Sequence, residues 1–194
     1  LSGYSESRFS PMIAAVLRPW GDRVSLFGNY TEGLEPGQVV GVTYANAGQA
    51  LPPKQTKQFE LGAKLQSGAL THTFSAYQIR RPSFVTNSSN ALVDDGEQRL
   101  CGLEWSMYGQ VMQTVSLLGG VTHIQSAQRN TGRDTYGVPE LRVRIGLDWQ
   151  TPVAGLKVGG RLIHTGAQWA DSNNRLRVPA WNRLDLNASY STKF

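Results

Sequence analysis

Apolar and polar residues alternate along most of this chain, and helical periodicity is almost absent. In the run from Leu141 to Trp149, every second position is apolar and the positions between are charged or glycine. Successive side chains of a β-strand point to opposite faces of a sheet, so each such run has one apolar face and one polar face. The pattern therefore predicts an all-β fold.

We predict nine strands from this alternation. They span residues 8–18, 23–31, 56–66, 69–82, 97–110, 113–127, 139–150, 155–168 and 181–192. Two of these strands are less regular than the others. The apolar phase shifts within residues 70–80, and the run Leu117–Gly120 is compatible with a bulge as well as with a regular strand.

The links between the predicted strands are alternately short and long. The long links fall at residues 31–55, 83–95, 128–138 and 170–180. In an up-and-down antiparallel sheet, this alternation places every short turn at one end and every long loop at the other. Transmembrane β-barrels have that asymmetry, and the predicted strands, at roughly 10 to 14 residues, are long enough for the ~9–11 needed to cross a bilayer at a tilt. We therefore predict an antiparallel up-and-down transmembrane β-barrel segment, with residues 1–194 forming one partial barrel domain.

The charged residues follow the same pattern. The chain has 19 Lys+Arg and 14 Asp+Glu, a formal net charge of +5, and the cations are interleaved with acids rather than clustered. This dispersal argues against a nucleic-acid-binding surface, which requires a basic patch. On the lipid side, a cation at mid-depth would cost about 2–4 kcal/mol. The residues predicted to line the interior are Glu60, Lys64, Glu104, Arg142, Arg144, Asp148, Arg161, Arg183 and Asp185.

Aromatic residues near the predicted strand ends suit the aromatic girdles of a membrane barrel. These residues are Trp20, Tyr30, Trp149, Trp169 and Trp181.

The sequence contains no recognisable catalytic or metal-binding motif. Cys101 is the single cysteine, and the three histidines stand apart without paired-ligand spacing. The segment 94–97 lacks the ligand spacing of an EF-hand loop and is predicted to be a solvated turn. We therefore predict no catalytic residue, no resident metal or cofactor, and no enzymatic activity.

Several segments resemble consecutive barrel motifs of the TonB-dependent outer-membrane receptors, specifically the ferric-siderophore branch. The resemblance covers nearly the whole chain. The segments that carry it are Phe9-Ser10-Pro11, Val24–Gly33, Leu51–Lys54 with Gln58–Lys64, Asp95–Arg99 with Gly102–Glu104, Gly137–Pro139, Gly155–Asp171, and Val178–Trp181 before Asp185.

What the resemblance implies is a receptor in the outer membrane of a Gram-negative bacterium that takes up ferric siderophores, with energy supplied through TonB. Receptors of this family have a plug domain inside a barrel of 22 strands. By this resemblance the chain lacks the plug, the earlier barrel strands and the last strands. Iron would be carried as a siderophore chelate rather than held as a cofactor. An isolated sheet with two open edges is expected to stay incomplete or to pair edge to edge with another copy.

The resemblance also implies that substrate is held by aromatic and basic groups at the external ends of the barrel. Flat chelate faces stack on aromatic rings, and anionic groups bind arginine. The alternative for each candidate residue is that it packs within its own loop or belongs to the aromatic girdle. The candidate substrate-binding residues are Tyr44, Phe84, Arg133, Tyr136 and Trp169.

Two other functions remain open from the residues. One is a soluble β-sheet module that binds a small molecule or a carbohydrate, in which the apolar faces would form an interior. The other is an outer-membrane lipase or protease with a serine–histidine or aspartate–histidine site, for which the sequence offers no compelling pair.

Overall fold

The computed structural model describes residues 9–192, and its main element is one sheet of nine antiparallel strands. Strand order in the sheet follows chain order, so the topology is up-and-down as predicted. The strands are β1 (Met12–Leu17), β2 (Val24–Glu35), β3 (Lys54–Ser67), β4 (Leu70–Thr86), β5 (Leu92–Met112), β6 (Val115–Gln128), β7 (Leu141–Gln150), β8 (Leu156–Thr165) and β11 (Trp181–Tyr190).

Three short elements lie outside this sheet. A 3-10 turn, Gly21–Arg23, precedes β2, and strands β9 (Gln168–Trp169) and β10 (Arg177–Val178) pair in a hairpin of their own. This hairpin occupies much of the predicted loop 170–180. Among residues 9–192, no helix is long and apolar enough to span a membrane.

All nine predicted strands are confirmed, but some of their bounds differ. The first was predicted from residue 8, which lies outside the described residues, and β1 begins only at Met12. β4 and β5 are longer than predicted, at 17 and 21 residues, because they continue pairing beyond a bulge between Ser83 and Val85. The link between them is therefore only 87–91, and the predicted solvated turn at 94–97 is wrong because that segment belongs to β5.

The two irregular predictions are also resolved. β4 pairs continuously with β5 from Leu70 to Ser83, despite its shift in apolar phase. β6 runs regularly through Gly119 and Gly120, and the irregularity at this end of the sheet lies between Gln110 and Met112 of β5.

The strand register gathers the charges onto one side of the sheet. Residues paired directly across antiparallel strands point to the same side, and pairing continues from Lys64 through the sheet to Arg144 and Arg183. All nine charged residues predicted to line the interior share this side, which we call the polar face. The opposite side, the apolar face, includes Leu61, Leu103 and Ile145.

The apolar face is not buried by any other part of the described chain. Leu103 is 62% exposed, Leu186 is 77% exposed and Ile145 is 49% exposed. Contiguous exposed apolar surface of this extent marks a contact with lipid or with another protein. The arrangement is the one predicted for a barrel segment.

The aromatic residues divide between several places. Tyr30 and Trp149 lie on the apolar face, near opposite ends of the sheet. Trp181 pairs with Thr165, which pairs with Arg142, so Trp181 lies on the polar face and the girdle prediction is wrong for it. Trp169 belongs to the β9–β10 hairpin.

The links alternate between two ends of the sheet, as predicted, but the predicted long link 83–95 is wrong, because the observed link 87–91 is no longer than the turn-end link 151–155. The turn end of the sheet holds residues 18–23, 68–69, 113–114 and 151–155, and the loop end holds 36–53, 87–91, 129–140 and 166–180. At the β3–β4 turn only two residues separate the paired Ser67 and Leu70. Gly68 there has φ 59°, a left-handed conformation that glycine adopts at little cost.

Candidate ligand-binding surface at the loop end

The loop 36–53 folds against the outer part of the β4–β5 hairpin around a small apolar core. Val40, Leu51 and Leu92 are buried there, and Tyr44 and Phe84 pack against them. We call this group the first loop cluster. Because its core joins residues from a loop and a neighbouring hairpin, it fixes that loop on the sheet.

Polar contacts reinforce the same junction. The Asn46 side chain donates to the carbonyl of Leu92 at 2.9 Å and accepts from the Leu92 amide at 2.9 Å. The Asn90 side chain donates to the carbonyl of Thr43 at 3.1 Å, and the Ala45 amide donates to the carbonyl of Asn90 at 2.8 Å. These bonds satisfy backbone groups that a loop of this length would otherwise leave to solvent.

A buried lysine lies beside this cluster. The Lys54 side chain is only 4% exposed, and its Nζ lies 2.6 Å from Oδ1 of Asp94 and 3.3 Å from the centre of the Phe84 ring. Burying an ammonium group is costly unless it is paired, and here a carboxylate and an aromatic face both provide compensation. One face of Phe84 is therefore already in contact with a cation of the protein.

A second loop cluster joins loop 129–140 to the β9–β10 region. Trp169 Nε1 donates to Oδ2 of Asp134 at 3.0 Å, and the Gly137 amide donates to the carbonyl of Trp169 at 2.8 Å. Arg133 Nη1 donates to Oδ1 of Asn173 at 2.9 Å. The loops after β6 and after β8 are thus connected by side chains from both.

Asp171 organises the turn inside this second cluster. Its Oδ1 accepts from the amides of Leu176 at 2.7 Å and Arg175 at 2.8 Å, and its Oδ2 accepts from the amide of Asn173 at 3.1 Å. These bonds, that from Leu176 first, hold the pKa of the Asp171 carboxyl below its ordinary value. An aspartate that bonds the backbone ahead of it is a common way to build such a turn.

The second cluster carries exposed cations. Arg133, Arg175 and Arg177 are exposed, and the carboxylates of Asp134 and Asp171 accept hydrogen bonds from within the cluster. The Arg177 guanidinium lies 5.8 Å from the centre of the Trp169 ring. Guanidinium groups presented in this way favour anionic ligands.

The five candidate residues therefore fall into two groups. Tyr44 and Phe84 are partly buried in the first loop cluster, where they support its core. Arg133 and Tyr136 are exposed in the second, and Trp169 is half-buried beside Asp134. Ligand contact by these five residues remains a prediction. The second cluster presents the more accessible groups.

The two clusters are connected through β5. Arg129, at the start of the loop after β6, donates its amide to the carbonyl of Glu97 at 2.8 Å, and its guanidinium lies 3.7 Å from the Glu97 carboxylate. The loop end is thus a connected surface rather than a set of separate loops.

Sequence reasoning missed several residues that build this surface. The Lys54–Asp94 pair and the Asn46 bridge join positions about forty residues apart, for which the sequence carries no local signal. Asp171 could have been found, because Asp171-Ser172-Asn173-Asn174 is a run of turn-forming residues.

In the described ranges, no group of three histidine, cysteine or acidic residues is placed to hold a metal ion. His72 stacks on Trp105 with ring centres 6.2 Å apart, and His164 Nδ1 lies 2.8 Å from Oδ1 of Asn182. Cys101 is a free thiol on the apolar face.

Comparison with known proteins gives the same architecture. Residues 2–194 match a family model described as "TonB dependent receptor-like, beta-barrel". The ferrichrome receptor FcuA of Yersinia enterocolitica is 30% identical over 95% of this chain and 26% of its own length. The ferrioxamine receptor of the same organism is 24% identical over 90% of this chain and 25% of its own length.

Solved structures agree with these relatives. The ferric preacinetobactin receptor BauA of Acinetobacter baumannii is 35% identical, with a TM-score of 0.80 over 95% of this chain and 30% of its own length. The ferric yersiniabactin uptake receptor FyuA of Yersinia pestis shares the fold at 16% identity, with a TM-score of 0.78 over 92% of this chain and 29% of its own.

The chain spans about a quarter of the length of these curated receptors. Receptors of this kind are outer-membrane β-barrels of Gram-negative bacteria, and they are not a class of enzymes. The match over almost every residue, on a sheet with one apolar and one charged face, shows that this chain belongs to the TonB-dependent receptor β-barrel family.

Proposed function

We propose that this chain is a barrel segment of an outer-membrane receptor that takes up ferric siderophores with energy supplied through TonB. The observation that carries the proposal is the match over 95% of the chain to two siderophore receptors, at 30% and 35% identity. In this proposal the plug domain and the other barrel strands belong to the same receptor. The apolar face contacts the bilayer, and the polar face lines the lumen.

The loop end supports a ligand of the siderophore type. Exposed Arg133 and Tyr136, with Trp169 beside them, combine cationic groups with aromatic surface. An anionic or hydroxyl-rich chelate has both the charge and the flat faces that such groups bind. No catalytic step on the ligand is required, because the ligand crosses the membrane unchanged in this proposal.

A growth experiment tests the proposal. The gene that encodes this chain is deleted, and the strain is grown under iron limitation with one siderophore supplied at a time. We expect growth to fail with one siderophore or a few related ones, and to return when the gene is restored. Equal growth with every siderophore, in a strain without a second receptor for them, would contradict the proposal.

Substitutions then locate the binding surface. Arg133→Ala with Tyr136→Ala removes a charged hydrogen-bond donor and an aromatic group, and should weaken siderophore binding about 10- to 100-fold. Arg18→Ala is the matched control, since it removes an exposed arginine at the turn end of the sheet. Equal affinity in both variants would exclude the second loop cluster as the binding surface.

A further inference from the structure

Four arginines lie close together on the polar face, on the adjacent strands β7, β8 and β11. Arg144 pairs with Ile163, and Ile163 pairs with Arg183, so these two arginines lie at one level, two strands apart. With neighbouring strands about 4.8 Å apart, their backbones are roughly 10 Å from each other. Arg142 is two residues from Arg144 along β7, and Arg161 is two residues from Ile163 along β8. We call the four arginines the polar-face arginine cluster.

The side chain of Arg161 leans across the sheet toward β7. Gly146 pairs directly with Arg161 and is the next polar-face residue of β7 after Arg144. A Cβ atom placed on Gly146 would lie 3.8 Å from Nε of Arg161, so the guanidinium group lies over this glycine. A side chain longer than a methyl group at position 146 would compete for that space. The glycine thus admits the Arg161 head group beside the strand that carries Arg144.

Only part of the positive charge is compensated within the cluster. Asp185 pairs with Arg161 across the strands, but its Oδ2 accepts hydrogen bonds from Nε and Nη2 of Arg183, at 3.2 Å and 3.0 Å. In the part of the chain that the structure describes, Arg142, Arg144 and Arg161 have no hydrogen bond or ion pair. All three are exposed. Guanidinium groups in this situation attract an anion from outside the sheet.

The other carboxylate on this face of the three strands belongs to Asp148, and it is directed elsewhere. It lies over Gly159, with which it pairs, beside the side-chain amide of Asn187. This position is one step nearer the turn end than Arg161, and no ion pair joins the two side chains among the described residues. The acids of these strands therefore leave Arg144 and Arg161 without a carboxylate partner.

The cluster lies directly below the second loop cluster. β7 follows loop 129–140, and loop 166–180 connects β8 to β11. Trp181 pairs with Thr165, and Thr165 pairs with Arg142, so an aromatic residue lies at the loop end of the arginines. From the level of Arg142 to that of Arg161 is four residues, or roughly 13 Å at about 3.3 Å per residue. Cationic groups thus continue from the exposed loops into the sheet along one set of strands.

We propose that the polar-face arginine cluster is a binding subsite, on the transport path, for ferric siderophores of net negative charge. The proposal rests on the proposed function and adds the class of substrate to it. Three catecholates around ferric iron leave a net negative charge, whereas three hydroxamates leave none. An anionic chelate that leaves the loop end next contacts Arg144 and Arg161, since guanidinium groups bind anionic oxygens through charge-assisted hydrogen bonds.

The test uses the full receptor, produced in a strain that has no other receptor for the chelates supplied. The probes are a ferric tris-catecholate, which is anionic, and a ferric tris-hydroxamate, which is neutral, both made with radioactive iron. Binding is measured on de-energised cells and uptake on energised cells. Each value is normalised to the amount of receptor in the outer membrane.

The informative variant is Arg144→Gln/Arg161→Gln. We expect its maximal uptake rate for the anionic chelate to fall about tenfold, with affinity on de-energised cells within about twofold of the wild type. Arg144→Lys/Arg161→Lys should recover part of the rate, because it keeps the charge. Arg18→Gln/Arg23→Gln is the matched control, since it removes two exposed arginines at the turn end and should leave uptake unchanged.

A second measurement excludes a purely structural role for the arginines, in which they bind carboxylates of the receptor's own plug domain. Loss of such contacts would loosen the plug and admit a large antibiotic that the intact outer membrane excludes. We expect the Gln variant to be no more sensitive to that antibiotic than the wild type. Increased sensitivity, or an equal loss of uptake for the anionic and the neutral chelate, would overturn the proposal.

The two proposals fail separately. Siderophore-dependent growth with equal uptake rates in the wild type and the Gln variant overturns only the arginine subsite, as does a receptor that transports neutral chelates alone. A receptor that supports growth with no siderophore overturns the transport function, and the subsite with it.

Discussion

Adjacent side chains of β7 meet different surroundings. Arg144 lies on the polar face in a row with Lys64 and Arg183, while Ile145, one residue later, lies on the apolar face and is 49% exposed. In a membrane barrel, the Ile145 position faces hydrocarbon. We expect Ile145→Arg to destabilise the full receptor by about 2–4 kcal/mol, the cost of a cation on the lipid face near mid-depth. The change in the free energy of unfolding is measured by reversible unfolding in urea, with the protein refolded into lipid vesicles.

A polar-face substitution provides the control. Ser75 pairs directly with Glu104, so Ser75→Arg places a new cation opposite a carboxylate. Its effect on the free energy of unfolding should be within about 1 kcal/mol. Equal costs for the two substitutions would contradict the assignment of the faces.

The Asp171 turn predicts a pH dependence. The pKa of this carboxyl is lowered in the folded protein, chiefly by the Leu176 amide, so the charged form stabilises the turn. That stabilisation is fully present above the ordinary aspartate pKa of about 3.9 and is lost as the pH falls through the lowered folded value. Hydrogen exchange at the Arg175 and Leu176 amides, corrected for intrinsic rates, should show protection from neutral pH down to about pH 4 and loss below it.

Asp171→Ala should abolish that protection at every pH. Asp95, an aspartate whose side chain has no ion pair in the described structure, serves as the control, since Asp95→Ala should leave the turn unchanged. Protection that disappears well above pH 4 in the wild type would show that another group controls the turn.

At the scale of elements, one ion pair joins loop 36–53 to the β4–β5 hairpin. Asp94→Ala would leave the buried Lys54 ammonium without its carboxylate. Because Asp94 is 48% exposed, the cost should fall below that of a fully buried pair, at about 1–3 kcal/mol. Hydrogen exchange should show faster local opening at Val40 and Leu51, with little change in the central strands.

The neighbouring carboxylate is again the matched control for this junction. Asp95→Ala removes the same charge from the next residue of β5 and should leave exchange at Val40 and Leu51 unchanged. Similar acceleration in both variants would mean that net charge, rather than the Lys54–Asp94 contact, holds the loop.

The sequence predicts the strands well for a physical reason. A membrane-type sheet has one apolar and one polar face, so apolar and polar residues must alternate along each strand. The alternation in the run Leu141–Trp149 therefore indicates a strand directly. The outer parts of β4 and β5 lie beyond the predicted membrane zone, where that constraint no longer applies. Pro82 and the bulge after Ser83 also make these parts harder to predict as strands from the sequence.

The loop surface is harder to predict from the sequence than the strands are. Its contacts, such as Lys54 with Asp94 and Trp169 with Asp134, join segments that are distant in sequence. Residue types alone indicated aromatic and basic groups at the loop end, but they could not show that Phe84 already contacts the Lys54 ammonium. Which of the five candidates binds ligand stays a prediction.

At the scale of the whole molecule, the described sheet has two edges. β1 pairs only with β2, and β11 pairs only with β8, within residues 9–192. Unpaired edge strands recruit other strands. We expect the isolated 194-residue chain to self-associate in detergent-free buffer, which light scattering would detect. A stable detergent-free monomer would contradict both the open edges and the lipid-facing surface.

The most direct test is to measure which side of the sheet contacts lipid. Single cysteines at positions 144 and 145, placed in a Cys101→Ser background of the full protein, are spin-labelled in lipid vesicles. We expect the label at 145 to collide mainly with lipid-soluble oxygen and the label at 144 mainly with a water-soluble nickel reagent. The reverse pattern, or a label at 145 shielded from both, would contradict this expectation.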